Sequence, residues 1–171
     1  MINGLNADPL GQQVLAAPNW KERSIDYIWI VRLCTYIMLR RRKNQEQNEE
    51  EEDGKEEEQP TTATTEEIEG FDTYLDLLPK GIREFPILFN EGELNYLAGC
   101  SCNPWLTARK DLFAELYSEL AKEVDGYKKR FKRKEFVEVI SLIYDRFFNL
   151  DVGGESLLCG VPYADLFGHS G

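Results

Sequence analysis

The chain is poor in histidine and in basic charge, and both shortages limit the functions that the protein can have. His169 is the only histidine, and 20 lysines and arginines stand against 31 aspartates and glutamates, a formal net charge of −11. Binding to nucleic acid requires a surplus of cationic side chains on one surface, because these must neutralise phosphates. The composition therefore argues against a nucleic-acid partner.

A long apolar run is also missing. The most apolar window, Ile25 to Leu39, is too short to span a bilayer and contains Asp26 and Arg32, so we expect no membrane segment. No signal peptide precedes the cysteines, which favours a reducing compartment, cytoplasmic or nuclear.

The cysteines do not form a metal motif. Cys100 and Cys102 are close in sequence, but no second pair of cysteine or histidine residues stands at the spacing of metal ligands. We therefore expect no metal site, and free buried thiols rather than disulfides.

Composition divides the chain into four segments. Residues 1–18 are typical of a flexible N-terminal segment, and residues 19–43 of an amphipathic helix that begins with a capping box at Asn19 and Glu22. The apolar stripe expected to be buried on this helix is Ile25, Ile28, Trp29, Leu33, Tyr36 and Ile37. Residues 44–69 form an acidic, low-complexity insert with no apolar period, which predicts disorder. Residues 70–171 carry the remaining apolar periodicity.

Local signals predict three further helices. Asn90 and Glu93 form a second capping box, ahead of a short helix that Gly99 ends. Pro104 suits the first turn of a third helix, which runs to Val124 before Asp125 and Gly126 end it. The fourth helix has the clearest apolar stripe: Phe136, Val139, Ile140, Ile143, Tyr144 and Phe147. We expect the last two helices to pack as an antiparallel pair, in a mainly α fold with one or two short C-terminal strands.

A basic run joins the third and fourth helices. Lys128 to Lys134 contains six basic residues around Phe131. The pattern is typical of a solvated helix face. The alternatives are a nuclear-localisation signal or contact with an acidic partner, including the acidic insert of this chain.

Three polar residues near the C-terminus are candidates for a functional site: Arg146, Asp165 and His169. Each also has a structural interpretation. Arg146 can pair with a nearby carboxylate, Asp165 can cap a turn, and a histidine with no serine, cysteine or metal-ligand companion is more often structural than catalytic. Spacing alone favours the structural interpretation.

Motifs in a fixed order add a second line of argument. They are Tyr74-Leu-Asp-Leu-Leu-Pro79, then Pro86-Ile-Leu-Phe-Asn-Glu-Gly-Glu-Leu94 with Leu97-Ala-Gly99, then Phe136…Tyr144-Asp-Arg-Phe147, then Val161-Pro-Tyr-Ala-Asp-Leu-Phe-Gly-His-Ser170. Their order and spacing resemble the SET-domain protein methyltransferases of the Rubisco large-subunit methyltransferase type. The resemblance implies a fragment of an α+β SET domain, namely its helical insert and the start of its second SET block, within residues 70–171.

The resemblance also implies an activity and a cofactor. The family transfers methyl groups from S-adenosylmethionine to a lysine, or in one branch a histidine, of a protein substrate. By resemblance, Arg146 holds the cofactor carboxylate, and the turn from Asp165 to His169 meets the adenine and the amino group. Gly168 stands where the family has asparagine, so this position contributes backbone groups alone.

The family's glycine-rich strand block and catalytic tyrosine have no counterpart in these residues. We therefore assign no catalytic residue and expect the chain alone to be inactive, as part of a longer gene product. The alternative is a short non-enzymatic helical interaction protein or a pseudoenzyme.

Overall fold

The computed structural model describes residues 8–17, 25–52, 73–80 and 85–161. The fold is mainly helical, with an antiparallel two-stranded hairpin near the C-terminus, which confirms the predicted fold class. Its elements are α1 (Pro9–Ala16), α2 (Ile25–Glu52), a helical segment at residues 73–77, a 3₁₀ turn (Pro86–Leu88), α3 (Glu91–Asn95), α4 (Asn103–Glu123), α5 (Tyr127–Arg130), α6 (Arg133–Arg146), β1 (Phe147–Val152) and β2 (Glu155–Gly160). None of these helices is long and apolar enough to cross a membrane.

Helix α1 lies within residues 1–18, which the composition assigns to a flexible segment. The Asp8 carboxylate accepts hydrogen bonds from the amides of Leu10 and Gly11, at 2.9 and 3.4 Å, and therefore caps the helix. Leu10 and Val14 are buried. Nη1 of Arg130 lies 3.1 and 2.8 Å from the two oxygens of Asp8. The helix is therefore stabilised by a local cap, by the burial of two apolar side chains and by a long-range ion pair.

Helix α2 is longer and more deeply enclosed than predicted. It continues through residues 44–52, which the sequence assigns to the disordered insert; residues 53–69 lie outside the described part of the chain. Glutamate is a good helix former, and Arg40 and Asn44 both bind the carboxylate of Asp76, which anchors this end. The predicted capping box also lies outside the described residues.

More of the surface of α2 is buried than the predicted apolar stripe. Trp29, assigned to the buried face, is 44% exposed, whereas the residues that are buried follow one another closely along the helix. They are Ile30, Val31, Leu33, Cys34, Thr35, Ile37, Met38 and Leu39. Packing against both α1 and α6 accounts for this, because two neighbours cover more of the helix than one stripe.

Helix α3 has the capping box and the terminating glycine that the sequence predicts. The Asn90 side chain accepts from the Glu93 amide at 3.0 Å, and the Glu93 carboxylate accepts from the Asn90 amide at 2.7 Å. Gly99, in the turn that follows, has φ of 86°, which favours glycine.

Helices α4 and α6 form the predicted antiparallel pair. Phe113 stacks on Tyr144 with a centroid distance of 5.5 Å, and Tyr117 meets Phe136 at 5.7 Å, so the order of contacts runs in opposite directions along the two helices. Gly126, at φ 77°, turns the chain between them. Of the predicted stripe, Phe147 lies in β1 rather than in α6, and Tyr144 alone reaches solvent, at 36% exposure.

The basic run has two faces. Phe131 is fully buried and is therefore a core residue. The remaining cations are exposed, apart from Arg130, which is half-buried and pairs with Asp8. They are Lys128, Lys129, Lys132, Arg133 and Lys134. This arrangement agrees with a solvated helix face.

The hairpin β1–β2 closes through Gly153 and Gly154, at φ 65° and 88°. Two consecutive positive φ values give a tight turn whose twist matches that of the strands. The Asp151 carboxylate accepts from the Gly154 amide at 3.1 Å and fixes the turn further. The register pairs Phe147 with Gly160.

Candidate functional site

Arg146 lies at the junction between α6 and β1. The helix ends there because Phe147 adopts an extended conformation, with φ −106° and ψ 137°. Nε of Arg146 lies 3.1 Å from Oδ2 of Asp145, and the Arg146 side chain is 34% exposed. The predicted pairing with a nearby carboxylate is therefore present, and part of the Arg146 side chain still reaches solvent.

Gly160 brings the end of β2 against this junction. A Cβ atom added to Gly160 would lie 2.8 Å from Cε1 of Phe147, so glycine is required for the ring to pack there. Because Phe147 and Gly160 are partners, Arg146 and Val161 flank the last pair of the ladder. Arg146 and the first residue of the Val161 to Ser170 motif thus lie at the same end of the hairpin.

The other predicted site residues, Asp165, Gly168 and His169, lie outside the described residues. Of the predicted cofactor-binding set, the described part of the chain therefore contains Arg146 alone.

Beside this junction is a pocket of about 450 Å³ between the 3₁₀ turn, α4 and α6. Most of its wall is apolar, formed by Phe85, Pro86, Ile87, Leu97, Leu106 and Phe113. Asp145 also lines it. Since Asp145 pairs with Arg146, one carboxylate joins the pocket to the junction.

Arg109 lies among aromatic rings in this pocket. Its guanidinium carbon is 4.4 Å from the centroid of Tyr144, 5.1 Å from that of Trp105 and 6.0 Å from that of Phe113. Such cation–π contacts attract a guanidinium to the rings. Trp105 is 60% exposed, which is unusual for so large a ring and marks the mouth of the pocket.

The sequence reasoning missed Arg109 and Trp105. Trp105, Arg109 and Phe113 recur every fourth residue and therefore share a face of α4, which was the available signal. The pattern did not reveal the partner, because Tyr144 arrives from α6.

The cysteines are free but not uniformly buried, which corrects the expectation. Cys34 is fully buried, whereas Cys100 and Cys102 are exposed. A hydrogen bond with Cys100 raises the pKa of the Cys102 thiol. Among the described residues, no group of three potential ligands is arranged to hold a metal ion.

Comparison with protein-family models, curated proteins and solved structures finds no match to this chain.

Proposed function

We propose that this chain carries the helical insert and the start of the second SET block of an S-adenosylmethionine-dependent protein methyltransferase. The substrate class is a protein lysine or histidine. The proposal combines the ordered motifs of the sequence with the geometry of the α6–β1 junction.

One observation carries the proposal. Arg146 and Val161, the first residue of the Val161 to Ser170 motif, flank the same end of the β1–β2 ladder. The resemblance requires both motifs to serve one cofactor. A tight hairpin between them is a direct way to bring the two motifs together.

Arg146 has the chemistry to hold the cofactor carboxylate. A guanidinium binds a carboxylate through two parallel N–H donors, which gives both charge and direction. The Asp145 contact at Nε restrains the Arg146 side chain, so less side-chain entropy is lost on binding. When bound, S-adenosylmethionine supplies the methyl group that is transferred. Arg146 is therefore a cofactor-binding residue in this proposal, and no catalytic residue is assigned.

The test uses the protein as its source cells make it. An antibody against residues 103–147 precipitates the endogenous polypeptide, which is then irradiated with tritiated S-adenosylmethionine and incubated with cell proteins. We expect crosslinked label on the polypeptide and tritium transfer to protein acceptors. An Arg146→Gln allele should reduce both signals at least about tenfold, the loss of one charge-assisted contact.

An Arg133→Gln allele is the matched control, because Arg133 is an exposed arginine at the other end of α6. It should leave both signals unchanged. A wild-type precipitate with neither crosslink nor transfer would overturn the proposal and favour a non-enzymatic interaction protein.

A further inference from the structure

The pocket between α4 and α6 has the size and the walls of a small-molecule site. Ligand pockets in proteins typically span roughly 300–1,000 Å³ and combine apolar walls with a few polar groups. This one measures about 450 Å³. Phe85 and Phe113 line it, and the rings of Trp105 and Tyr144 stand at the solvent-accessible side. Aromatic walls favour a flat aromatic ligand, because rings pack well on rings.

Arg109 supplies the polar recognition. Contact with the aromatic rings occupies the face of a guanidinium, whereas its N–H donors point outward in its own plane. Among the residues that the structure describes, no carboxylate lies within ion-pair distance of Arg109. A guanidinium that lies beside aromatic rings and has no acidic partner among the described residues is suited to a carboxylate.

The local charge balance agrees with an anionic ligand. Asp145 is the carboxylate in the wall, and it is paired with Arg146 at 3.1 Å. The Asp145–Arg146 pair is neutral as a unit. The charge of Arg109 is therefore not cancelled, and the pocket is positively charged. The positive pocket stands out in a chain whose formal net charge is −11.

We propose that this pocket binds a small aromatic carboxylic acid, with the ring between the aromatic and aliphatic walls and the carboxylate against Arg109. The site is distinct from Arg146 and its proposed cofactor. The inference therefore does not depend on methyl transfer.

The test compares an acid with its neutral isostere on the purified chain. 2-Naphthoate and 2-naphthamide share a ring system and differ in charge, and the indole N–H resonance of Trp105 reports binding in an NMR titration. A Trp105→Phe spectrum assigns that resonance. We expect the acid to bind at least about tenfold more tightly than the amide, as a charge-assisted contact predicts.

Arg109→Gln should remove the preference for the acid while the amide still binds, because the apolar walls remain. Arg109→Lys keeps the charge without the planar fork and should retain part of the preference; it also serves if Arg109→Gln does not fold. Arg133→Gln removes an equal charge from an exposed site outside the pocket and should leave the preference intact. Equal affinity for acid and amide, no shift at millimolar ligand, or a preference that survives Arg109→Gln would each overturn the proposal.

Discussion

A buried hydroxyl pair between α2 and α5 allows a sharp test of the packing. Oγ1 of Thr35 donates to the Val31 carbonyl at 2.9 Å and lies 3.2 Å from the hydroxyl of Tyr127, and both side chains are fully buried. A threonine hydroxyl has a single proton. Since that proton goes to Val31, Tyr127 donates to Thr35, which makes the two substitutions unequal.

Thr35→Val leaves the Tyr127 hydroxyl buried without an acceptor. The desolvation penalty of such a group is about 1–3 kcal/mol. Tyr127→Phe removes the donor and leaves Thr35 bonded to Val31, so the loss should be about 0.5–1.5 kcal/mol. In the double variant, residue 127 has no hydroxyl that could be left without an acceptor. We therefore expect it to be more stable than Thr35→Val alone, with a coupling of about 1 kcal/mol.

Urea unfolding followed by far-ultraviolet circular dichroism measures all four corners of the cycle. Ser118→Ala is the control, because Ser118 makes the same kind of bond, to the Ala114 carbonyl at 2.8 Å, on an exposed helix face. Its removal should change stability by less than about 0.5 kcal/mol. Strictly additive effects of Thr35→Val and Tyr127→Phe, or a neutral Thr35→Val, would refute the assignment of donor and acceptor.

Three further predictions concern other contacts. Asp8→Ala should destabilise the chain by about 1–2 kcal/mol, because it removes the α1 cap and the partly exposed pair with Arg130. Asp8→Asn should retain most of the cap, and equal urea midpoints for Asp8→Ala and wild type would contradict this role. Burial raises the pKa of the Cys34 thiol well above its ordinary value. Above about pH 8.5 the thiol ionises in the unfolded chain but keeps its proton in the folded chain, so the free energy of unfolding should fall as the pH rises. The fall should be steeper than in Cys34→Ala by up to about 1.4 kcal/mol per pH unit. Parallel curves of stability against pH for the two proteins would disprove this prediction. Gly160→Ala should displace the Phe147 ring, destabilise the hairpin by about 1–3 kcal/mol and speed amide exchange in β1 and β2. Unchanged exchange would show that the ring adapts without loss.

The elements that the sequence predicted well depend on neighbours in the chain. The capping box of Asn90 and Glu93, the proline in the first turn of α4 and the glycine turn at Gly126 each act over a few residues. The α6 stripe is equally local, because one dominant face of the helix is buried. Such signals are legible without knowing the rest of the fold.

Two helical stretches that the sequence did not predict, α1 and the acidic end of α2, depend on distant residues. Helix α1 is short, and its stability includes the contact between Asp8 and Arg130, which are far apart in sequence. The acidic end of α2 contains no apolar period. The hydrogen bonds that hold it run from Arg40 and Asn44 to Asp76, which lies on the other side of the acidic insert in the sequence. Neither contact can be recognised from local composition.

The candidate site divides in the same way. The sequence alone identified Arg146 and predicted one or two short C-terminal strands, whereas the strand that begins at Phe147 and the turn at Gly153 and Gly154 were found only in the structure. The pocket required the tertiary structure, because Arg109 and Trp105 belong to α4 and Tyr144 belongs to α6. Periodicity determines which residues share a face of one helix, whereas the antiparallel packing of two helices decides which faces meet and what cavity remains between them.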